Sequence, residues 1–253
     1  MHPEKLPCIT PRTALFLDFD GTLVELAAQP ELVRVPAGLV GTLASLSAQL
    51  GGALALVSGR GLTDLDGFMA PLRLPAAGEH GALRRTAAGR SVSVPAADMQ
   101  RVLQAAQSLL QRHAGLRLER KSLALSLHYR HAPELEALCL QVMRDAVDRS
   151  LGFELMQGKL VIDIKPAGVS KGTAIAAFMD EAPFAGRTPL FAGDDVTDEA
   201  GFAEVQRRGG EAIKVGAGPT LARQRCDSVA QLAAWLQAAV SADAARHATG
   251  QTA

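Results

Sequence analysis

Two carboxylates one residue apart, at the end of a short apolar run, most constrain what this chain can fold into. The run is residues 14–17, followed by Asp18-Phe19-Asp20-Gly21-Thr22. Its length and apolar character are typical of one buried parallel strand. Since side chains alternate along a strand, Asp18 and Asp20 fall on the same face. Two like charges this close repel each other, so we expect a bound hard cation or a raised pKa on one carboxylate.

Composition limits the classes of partner. The 253 residues suffice for one α/β domain with a substantial insert, and 26 basic residues balance 26 acidic ones. No overall field therefore attracts nucleic acid or an anionic membrane. No apolar run has the length of a membrane span, and the first residues lack the pattern of a signal peptide. Cys8, Cys139 and Cys226 are too widely spaced for a metal site and are expected to be free thiols. We expect a cytoplasmic protein with no nucleic-acid or membrane partner.

The next helix and strand lead to a second candidate site. Apolar spacing predicts a helix over residues 38–50 and a buried strand over residues 53–57, ending at Ser58-Gly59-Arg60. A hydroxyl followed by glycine at a strand end can offer Oγ and backbone N–H groups to an anion. The alternative is that Ser58 caps the helix predicted over residues 61–70. A strand and turn over residues 74–85 follow, in which His80 is either a turn residue or a substrate-side group.

Residues 91–165 differ in character from the rest of the chain. Helices are predicted over 96–113 and 134–150, and strands over 116–120, 123–130, 153–156 and 160–164. This order predicts a small α+β module of antiparallel strands with helices on one face. Leucine and isoleucine alternate with polar residues along two of the strands, so one face packs and the other is polar. The polar face is either solvated or suited to sugar hydroxyls, and carries Ser126, His128, Arg130, Lys159, Asp163 and Lys165.

The α/β pattern then resumes with more charged residues at element ends. A helix over residues 171–179 has Ser170 as its predicted N-cap, and Lys171 then opposes the helix dipole unless an anion lies nearby. The strand over residues 189–192 is followed by Asp194, Asp195 and Asp198. Three carboxylates at a strand end are costly without a cation, although Asp198 can also be a first-turn helix residue. A strand over 212–215 and a helix over 229–240 complete the pattern, with fraying expected after residue 241.

These four motifs occur in the order found in one large superfamily. Asp18/Asp20, Ser58, Lys171 and Asp194/Asp195 each sit at a strand end or helix start, so a parallel sheet would bring them to one edge. In this order they resemble the haloacid dehalogenase superfamily of phosphotransferases. The resemblance implies an α/β fold with a Rossmann-like parallel-sheet core and an inserted smaller α+β cap. The implied limits are 1–91 for the first part of the core, 92–165 for the cap and 166–253 for the second part of the core.

The resemblance also implies roles for the core residues. Asp18 would be the nucleophile that forms an aspartyl-phosphate, and Asp20 the general acid and base. Ser58 and Lys171 would hold the phosphoryl oxygens. The implied cofactor is Mg²⁺, held by the Asp18 and Asp194 carboxylates and the Asp20 carbonyl oxygen. Asp195 and Asp198 would act on the metal through water or orient Lys171.

The predicted cap narrows the resemblance to the trehalose-6-phosphate phosphatases. The motifs that carry it are Gly78-Glu79-His80-Gly81, Glu119-Arg120-Lys121, Leu127-His128-Tyr129-Arg130, the stretch 158–166, Ser170-Lys171-Gly172 and the stretch 193–199. The expected substrate-binding residues are Ser58, Gly59, Arg60, Glu119, Lys121, His128, Arg130, Lys159, Asp163 and Lys171. Two positions depart from the family pattern, because Asp163 stands where Glu is usual and Ser122 where Gly is common. The implied partner is a small sugar phosphate, and a monomer is expected.

Three other functions remain open, and the sequence argues against each of them. Sucrose-phosphate and mannosyl-phosphoglycerate phosphatases have similar caps, but the cap motifs of this chain disfavour both enzymes. A catalytically silent sugar-phosphate sensor need not keep Asp20, so the presence of both Asp18 and Asp20 argues against that function. A mutase is disfavoured because nothing in the sequence marks a second phosphate site.

Overall fold

The structure is a computed structural model that describes residues 6–27, 29–158 and 160–250. Lys159, an expected substrate-binding residue, therefore lies outside the described residues. In chain order the strands are β1 (Thr13–Leu17), β2 (Leu54–Val57), β3 (Ala76–Gly78), β4 (Leu83–Arg85), β5 (Ser91–Ser93), β6 (Arg117–Arg120), β7 (Leu125–His128), β8 (Phe153–Gly158), β9 (Val161–Pro166), β10 (Thr188–Gly193), β11 (Glu211–Val215) and β12 (Gln224–Cys226). The helices are α1 (Leu39–Gln49), α2 (Leu62–Met69), α3 (Gln100–Arg112), α4 (Glu136–Asp148), α5 (Lys171–Met179), α6 (Glu199–Arg207) and α7 (Val229–Gly250).

The larger sheet is built around β1. Its strand order is β12-β11-β10-β1-β2-β3-β4-β5, with parallel pairing from β12 to β3 and antiparallel pairing for β4 and β5. Leu15 pairs with Leu190 on one side and with Leu54 on the other. All five residues of β1 are buried, because helices cover both faces of a parallel sheet. The apolar run that precedes Asp18 is thus the centre of the larger sheet, as predicted.

The smaller sheet has one apolar face and one polar face. Its antiparallel order is β6-β7-β9-β8, and α3 and α4 pack with it around a separate hydrophobic core. Leu127 and Ile162 lie in that core and are fully buried. On the opposite face Ser126, Asp163 and Lys165 are also buried, whereas Arg130 is exposed. The alternation predicted for these strands is confirmed, and the polar face is solvated only in part.

Several elements differ from the sequence-based expectation. β5 pairs with β4, so the larger sheet extends past the expected core limit at residue 91. The short strands β5 and β12 carry mostly polar residues, and no periodic pattern marked them. α7 continues to Gly250, which corrects the expected end at residue 240, since the alanine-rich sequence there favours helix. No helix in the described part of the chain is both long and apolar enough to cross a bilayer.

Candidate active site

A pocket of about 760 Å³ lies between the two sheets, and most of the predicted site residues line it. From the larger sheet come Asp18 after β1, Ser58 after β2 and Asp194 after β10, with Lys171 at the start of α5. The carboxyl ends of these parallel strands share one edge, which is why residues far apart in sequence meet there. From the smaller sheet the pocket receives Glu119, Lys121, Ser126, His128, Arg130 and Asp163.

Lys171 joins two buried carboxylates. Its Nζ lies 2.6 Å from Asp18 Oδ1 and 2.6 Å from Asp198 Oδ1. Ser170 caps the helix by accepting from the backbone N–H of Thr173 at 3.1 Å, as predicted. Burial lowers the pKa of Lys171, but the two carboxylates outweigh it and raise that pKa above its usual value. The ammonium group therefore stays charged, and these carboxylates are the anions expected beside the start of this helix.

Asp18, Asp194 and Asp198 form an acidic cluster whose negative charge exceeds what the single Lys171 ammonium group can compensate. Burial raises the pKa of Asp18 well above its usual value, and Asp198 and Asp194 add to this while Lys171 opposes it. Burial and the neighbouring Asp198 raise the pKa of Asp194 to about 6. The Thr22 hydroxyl lies 3.3 Å from Asp18 Oδ2 and 3.4 Å from Asp194 Oδ1, a single donor between two acceptors. An added cation would relieve this repulsion.

The same cluster fits a divalent metal ion. Asp18, Asp194 and Asp198 each offer an oxygen within 4.8 Å of the others, and Mg²⁺ prefers carboxylate oxygens. Both Asp198 oxygens are already engaged, since Oδ1 accepts from Lys171 and Oδ2 accepts at 2.9 Å from the N–H groups of Asp194 and Asp195. Asp18 and Asp194 also line the pocket whereas Asp198 does not, so Asp18 and Asp194 are better placed as direct ligands, and Asp198 positions Lys171.

Gly21 makes room for the Asp194 carboxylate. Its φ is +76°, and a Cβ at this position would overlap that carboxylate, so glycine is required here.

Asp195 lies apart from this cluster. Its carboxylate accepts from the N–H of Val196 at 2.7 Å and caps the short 3₁₀ turn Val196–Asp198. This turn places Asp198 in the site. The Asp195 carboxylate therefore stabilises the backbone that positions Asp198.

Asp20 is held by Arg60. The guanidinium donates from Nε and Nη2 to the two Asp20 carboxylate oxygens, at 2.6 and 2.7 Å. The guanidinium carbon Cζ of Arg60 lies 4.8 Å from the centre of the Phe68 ring, within cation–π distance. Burial lowers the pKa of Arg60, but Asp20 more than offsets this and raises it. Arg60 was expected to bind substrate, whereas the contacts described here place its guanidinium on the expected general acid.

Ser58 is free to serve the pocket rather than a helix. Its side chain is buried, and Oγ accepts from the N–H of Arg60 at 3.2 Å. The N-cap of α2 is Gly61, so the alternative that Ser58 caps this helix is wrong. Gly59 follows with its backbone at the pocket wall.

On the smaller sheet the charged residues form a connected group. Glu119 Oε2 lies 3.0 Å from His128 Nε2, and Lys121 Nζ donates to the Gly59 carbonyl at 2.9 Å. Burial alone would raise the pKa of Glu119, but His128 and Lys121 lower it to about 2. Arg130, by contrast, is exposed and donates to the carbonyl of Ala27 at 3.1 Å.

Sequence reasoning missed a residue that connects the two sheets. Glu79 is buried, and its carboxylate accepts from the backbone N–H groups of Ser122 at 2.9 Å and Leu123 at 2.6 Å. Ser122 is the position where glycine is common in the related family. A buried acid that binds backbone groups follows no hydrophobic periodicity, so the only sequence signal for Glu79 is its place in the motif Gly78-Glu79-His80-Gly81.

The fold and the site together define an α/β phosphatase of the haloacid dehalogenase type. Its carboxyl edge carries the acidic cluster and Lys171, and a second sheet covers that edge. The fold is similar to that of the C-terminal domain of trehalose-6-phosphate phosphatase from C. albicans. The TM-score is 0.82 at 23% identity, over 92% of this chain and 93% of that one.

Sequence comparison identifies the family. The trehalose-phosphatase family profile matches residues 16–230. The chain is 43% identical to the trehalose-6-phosphate phosphatase of Escherichia coli (strain K12) over 233 residues, 91% of this chain and 88% of the relative. It is 45% identical to a probable trehalose-phosphate phosphatase of Sinorhizobium fredii over 205 residues, 80% of this chain and 77% of the relative. The chain belongs to the trehalose-phosphatase family, whose members are phosphoric monoester hydrolases.

Proposed function

We propose that this chain hydrolyses trehalose 6-phosphate to trehalose and phosphate through a phosphorylated Asp18. The observation that carries the proposal is the position of Lys171, which bridges Asp18 and Asp198 beside Ser58 on the floor of the pocket. A nucleophile paired with a buried cation suits attack on an anionic phosphate monoester. The family match and the names of the relatives support the disaccharide phosphate as substrate.

The chain's own residues divide the reaction into two steps. Asp18 forms an oxygen–phosphorus bond as the bond from phosphorus to the sugar oxygen breaks. Asp20, oriented by Arg60, gives its proton to that departing oxygen. Asp20 then takes a proton from water, which attacks phosphorus and releases Asp18. Each proton lost by one group is thus gained by another, and the enzyme returns to its starting state.

Positive groups and hydroxyls would hold the transferred phosphoryl group. Lys171 and Ser58 line the same part of the pocket as Asp18, and both are buried. Their donors can bind the oxygens whose charge changes during transfer. The backbone of Gly59 is a further donor beside them. Lys171 would exchange its present contact with Asp18 for one with phosphate.

We propose Mg²⁺ as the cofactor. The Asp18 and Asp194 carboxylates with the Asp20 carbonyl oxygen would hold it, Asp198 would position Lys171, and Asp195 would shape the turn below. When bound, the ion offsets the negative charge that keeps an anionic nucleophile from an anionic phosphate. Burial and the neighbouring Asp198, which together raise the pKa of Asp194 to about 6, support this assignment, because a cation would offset both effects.

The smaller sheet would act as the cap that recognises the sugar. Glu119, Lys121, His128 and Asp163 line the pocket on that side, and carboxylates, ammonium and imidazole groups all bind hydroxyls. Arg130 at the rim and Lys159 are proposed to contribute further contacts. We propose as this cap the part of residues 92–165 that follows β5, because β5 pairs in the larger sheet. We also propose that the protein acts as a cytoplasmic monomer on a small sugar phosphate, and its free cysteines suit a reducing compartment.

The test is phosphate release from a panel of sugar phosphates, with Mg²⁺ and then with EDTA. We expect Mg²⁺-dependent release from trehalose 6-phosphate, and loss of that release in Asp18→Asn. Release from sucrose 6-phosphate or monosaccharide phosphates in its place would keep the catalytic residues and overturn the substrate. A chain that binds these compounds without releasing phosphate would be a silent sensor.

A further inference from the structure

His80 lies at the junction of the two sheets, on the wall of the pocket. Its backbone N–H donates to the carbonyl of Ser58 at 3.0 Å, and its φ of +59° is a left-handed conformation. The imidazole covers Gly59, since a Cβ on that glycine would lie 2.6 Å from the ring carbon Cε1. The backbone bond and this packing fix the ring beside Ser58 and Gly59, which would bind the phosphoryl group.

Neither ring nitrogen of His80 has a hydrogen-bond partner among the residues that the structure describes. The side chain is only 7% exposed, and no described residue offers Nδ1 or Nε2 a hydrogen bond. The closest acidic oxygen, Asp163 Oδ2, lies 3.7 Å from Nε2, which is too long for a hydrogen bond. Asp163 Oδ1 already accepts from the Ser126 hydroxyl. A buried polar group without a partner is costly, and such groups are commonly satisfied by a ligand or by water.

The imidazole is neutral in these surroundings. Burial, together with the ammonium groups of Lys121, Lys171 and Lys165, keeps the pKa of His80 well below its usual value. A neutral imidazole offers one donor and one acceptor, as a hydroxyl group does. A phosphate oxygen would instead favour the cationic groups nearby. The contact of His80 with Asp163 is therefore not an ion pair.

We propose that His80 and Asp163 together bind one hydroxyl of the sugar ring that carries the phosphate, which makes His80 a specificity-determining residue. The hydroxyl accepts from Nε2–H of His80 and donates to Oδ2 of Asp163, so that it bridges these two atoms from the pocket side, and their separation of 3.7 Å allows a normal hydrogen bond to each. We assign the hydroxyl to the ring that carries the phosphate because the backbone of His80 is hydrogen-bonded to Ser58, which would bind the phosphoryl group. This inference rests on the proposed sugar-phosphate hydrolysis and adds a residue to it.

Two substitutions separate hydrogen bonding from packing. His80→Gln and His80→Met have similar length, and both place a non-glycine side chain at the same left-handed φ, so their backbone strain is matched. Only Gln can donate to or accept from a hydroxyl. His113→Asn is the control, since His113 follows α3 and does not line the pocket. Thermal denaturation of each variant gives its folded fraction.

The assay compares kcat/KM for trehalose 6-phosphate with kcat/KM for p-nitrophenyl phosphate, which has no sugar hydroxyl. We expect His80→Met to lower the first by about 10-fold and the second by less than about 2-fold, with His80→Gln recovering most of the loss. Equal losses on both substrates, or equal behaviour of the Gln and Met variants, would show that the ring only packs against Gly59 and would overturn the proposal.

Deoxy analogues of the phosphate-bearing ring identify the hydroxyl. For one analogue, wild type and His80→Met should hydrolyse the substrate at the same rate, because the partner of His80 is already absent. If every analogue keeps the full difference, no ring hydroxyl binds His80. Should wild type act on a different sugar phosphate, the same comparison is made on that compound, and only the proposed substrate fails.

Discussion

The guanidinium of Arg60 donates to both carboxylate oxygens of Asp20, at 2.6 and 2.7 Å. A two-point contact of this kind fixes the plane of the carboxylate as well as its position. Asp20 therefore has a defined direction in the pocket, two residues from Asp18, the proposed nucleophile. The side chain of Asp20 keeps about a third of its surface exposed, so a substrate can still reach it.

Arg60→Lys tests whether this orientation matters for proton transfer. Lysine keeps the charge but not the planar pair of donors, so we expect kcat for trehalose 6-phosphate to fall by about 10- to 100-fold. The loss should be smaller for p-nitrophenyl phosphate, whose leaving group needs little protonation. Arg73→Lys, at an exposed pair with Asp66, is the matched control. An equal loss on both substrates would mean that Arg60 does not act through Asp20.

Asp194→Asn should stabilise the metal-free protein. The pKa of Asp194 is raised to about 6 in the folded state, so ionising it above that pH costs folding free energy. Asparagine removes the charge and keeps the shape, and we expect a gain of about 1 to 3 kcal/mol at pH 7.5. The gain should appear as a higher Tm in EDTA, together with loss of the Tm increase that Mg²⁺ gives wild type. A lower Tm in EDTA would contradict the repulsion described for the acidic cluster.

The raised pKa of Asp194 also predicts that the free energy of unfolding depends on pH. A carboxyl whose pKa is raised by folding stabilises the folded state fully below its unfolded pKa, near 4, and loses that effect as the pH rises through about 6. The difference in Tm between Asp194→Asn and wild type should therefore be small at pH 4 and grow until about pH 7. Thermal melts in EDTA across this range measure it. A difference that does not change with pH would show that Asp194 is not the titrating group.

Glu79→Gln should loosen the connection between the sheets. The carboxylate accepts from two backbone N–H groups, and an amide offers a single acceptor oxygen, so Ser122 or Leu123 loses its partner. We expect faster hydrogen exchange at these two amides and a KM for trehalose 6-phosphate raised several-fold. Glu134→Gln, at an exposed glutamate of the smaller-sheet module, is the control. Unchanged exchange at both amides would contradict this role for Glu79.

The parts of the site that sequence predicted correctly are those tied to regular elements. Lys171 at the first position of a helix needed an anion nearby, and Asp18 and Asp198 supply it. The alternation in β7 and β9 separated the face that packs from the face that lines the pocket. Both arguments use a fixed geometry, which local sequence determines.

The parts that sequence did not predict depend on contacts between distant segments. Glu79 and His80 occupy left-handed conformations beside Ser58, and their side chains meet residues more than 40 positions away. From sequence Asp198 could equally have been a first-turn helix residue, yet it is fully buried against Lys171. β12 has no apolar pattern, because its place at the edge of the larger sheet does not require one.

A single-turnover experiment with p-nitrophenyl phosphate labelled with ³²P tests the central claim most directly. Its leaving group needs little protonation, so with Mg²⁺ and an acid quench we expect protein-bound label in Asp20→Asn, where the intermediate forms but is hydrolysed slowly. The label should be removed by hydroxylamine, as an acyl phosphate is, and should be absent in Asp18→Asn and in EDTA. Release of labelled phosphate by wild type with no protein-bound label in any variant would contradict the phosphorylated Asp18.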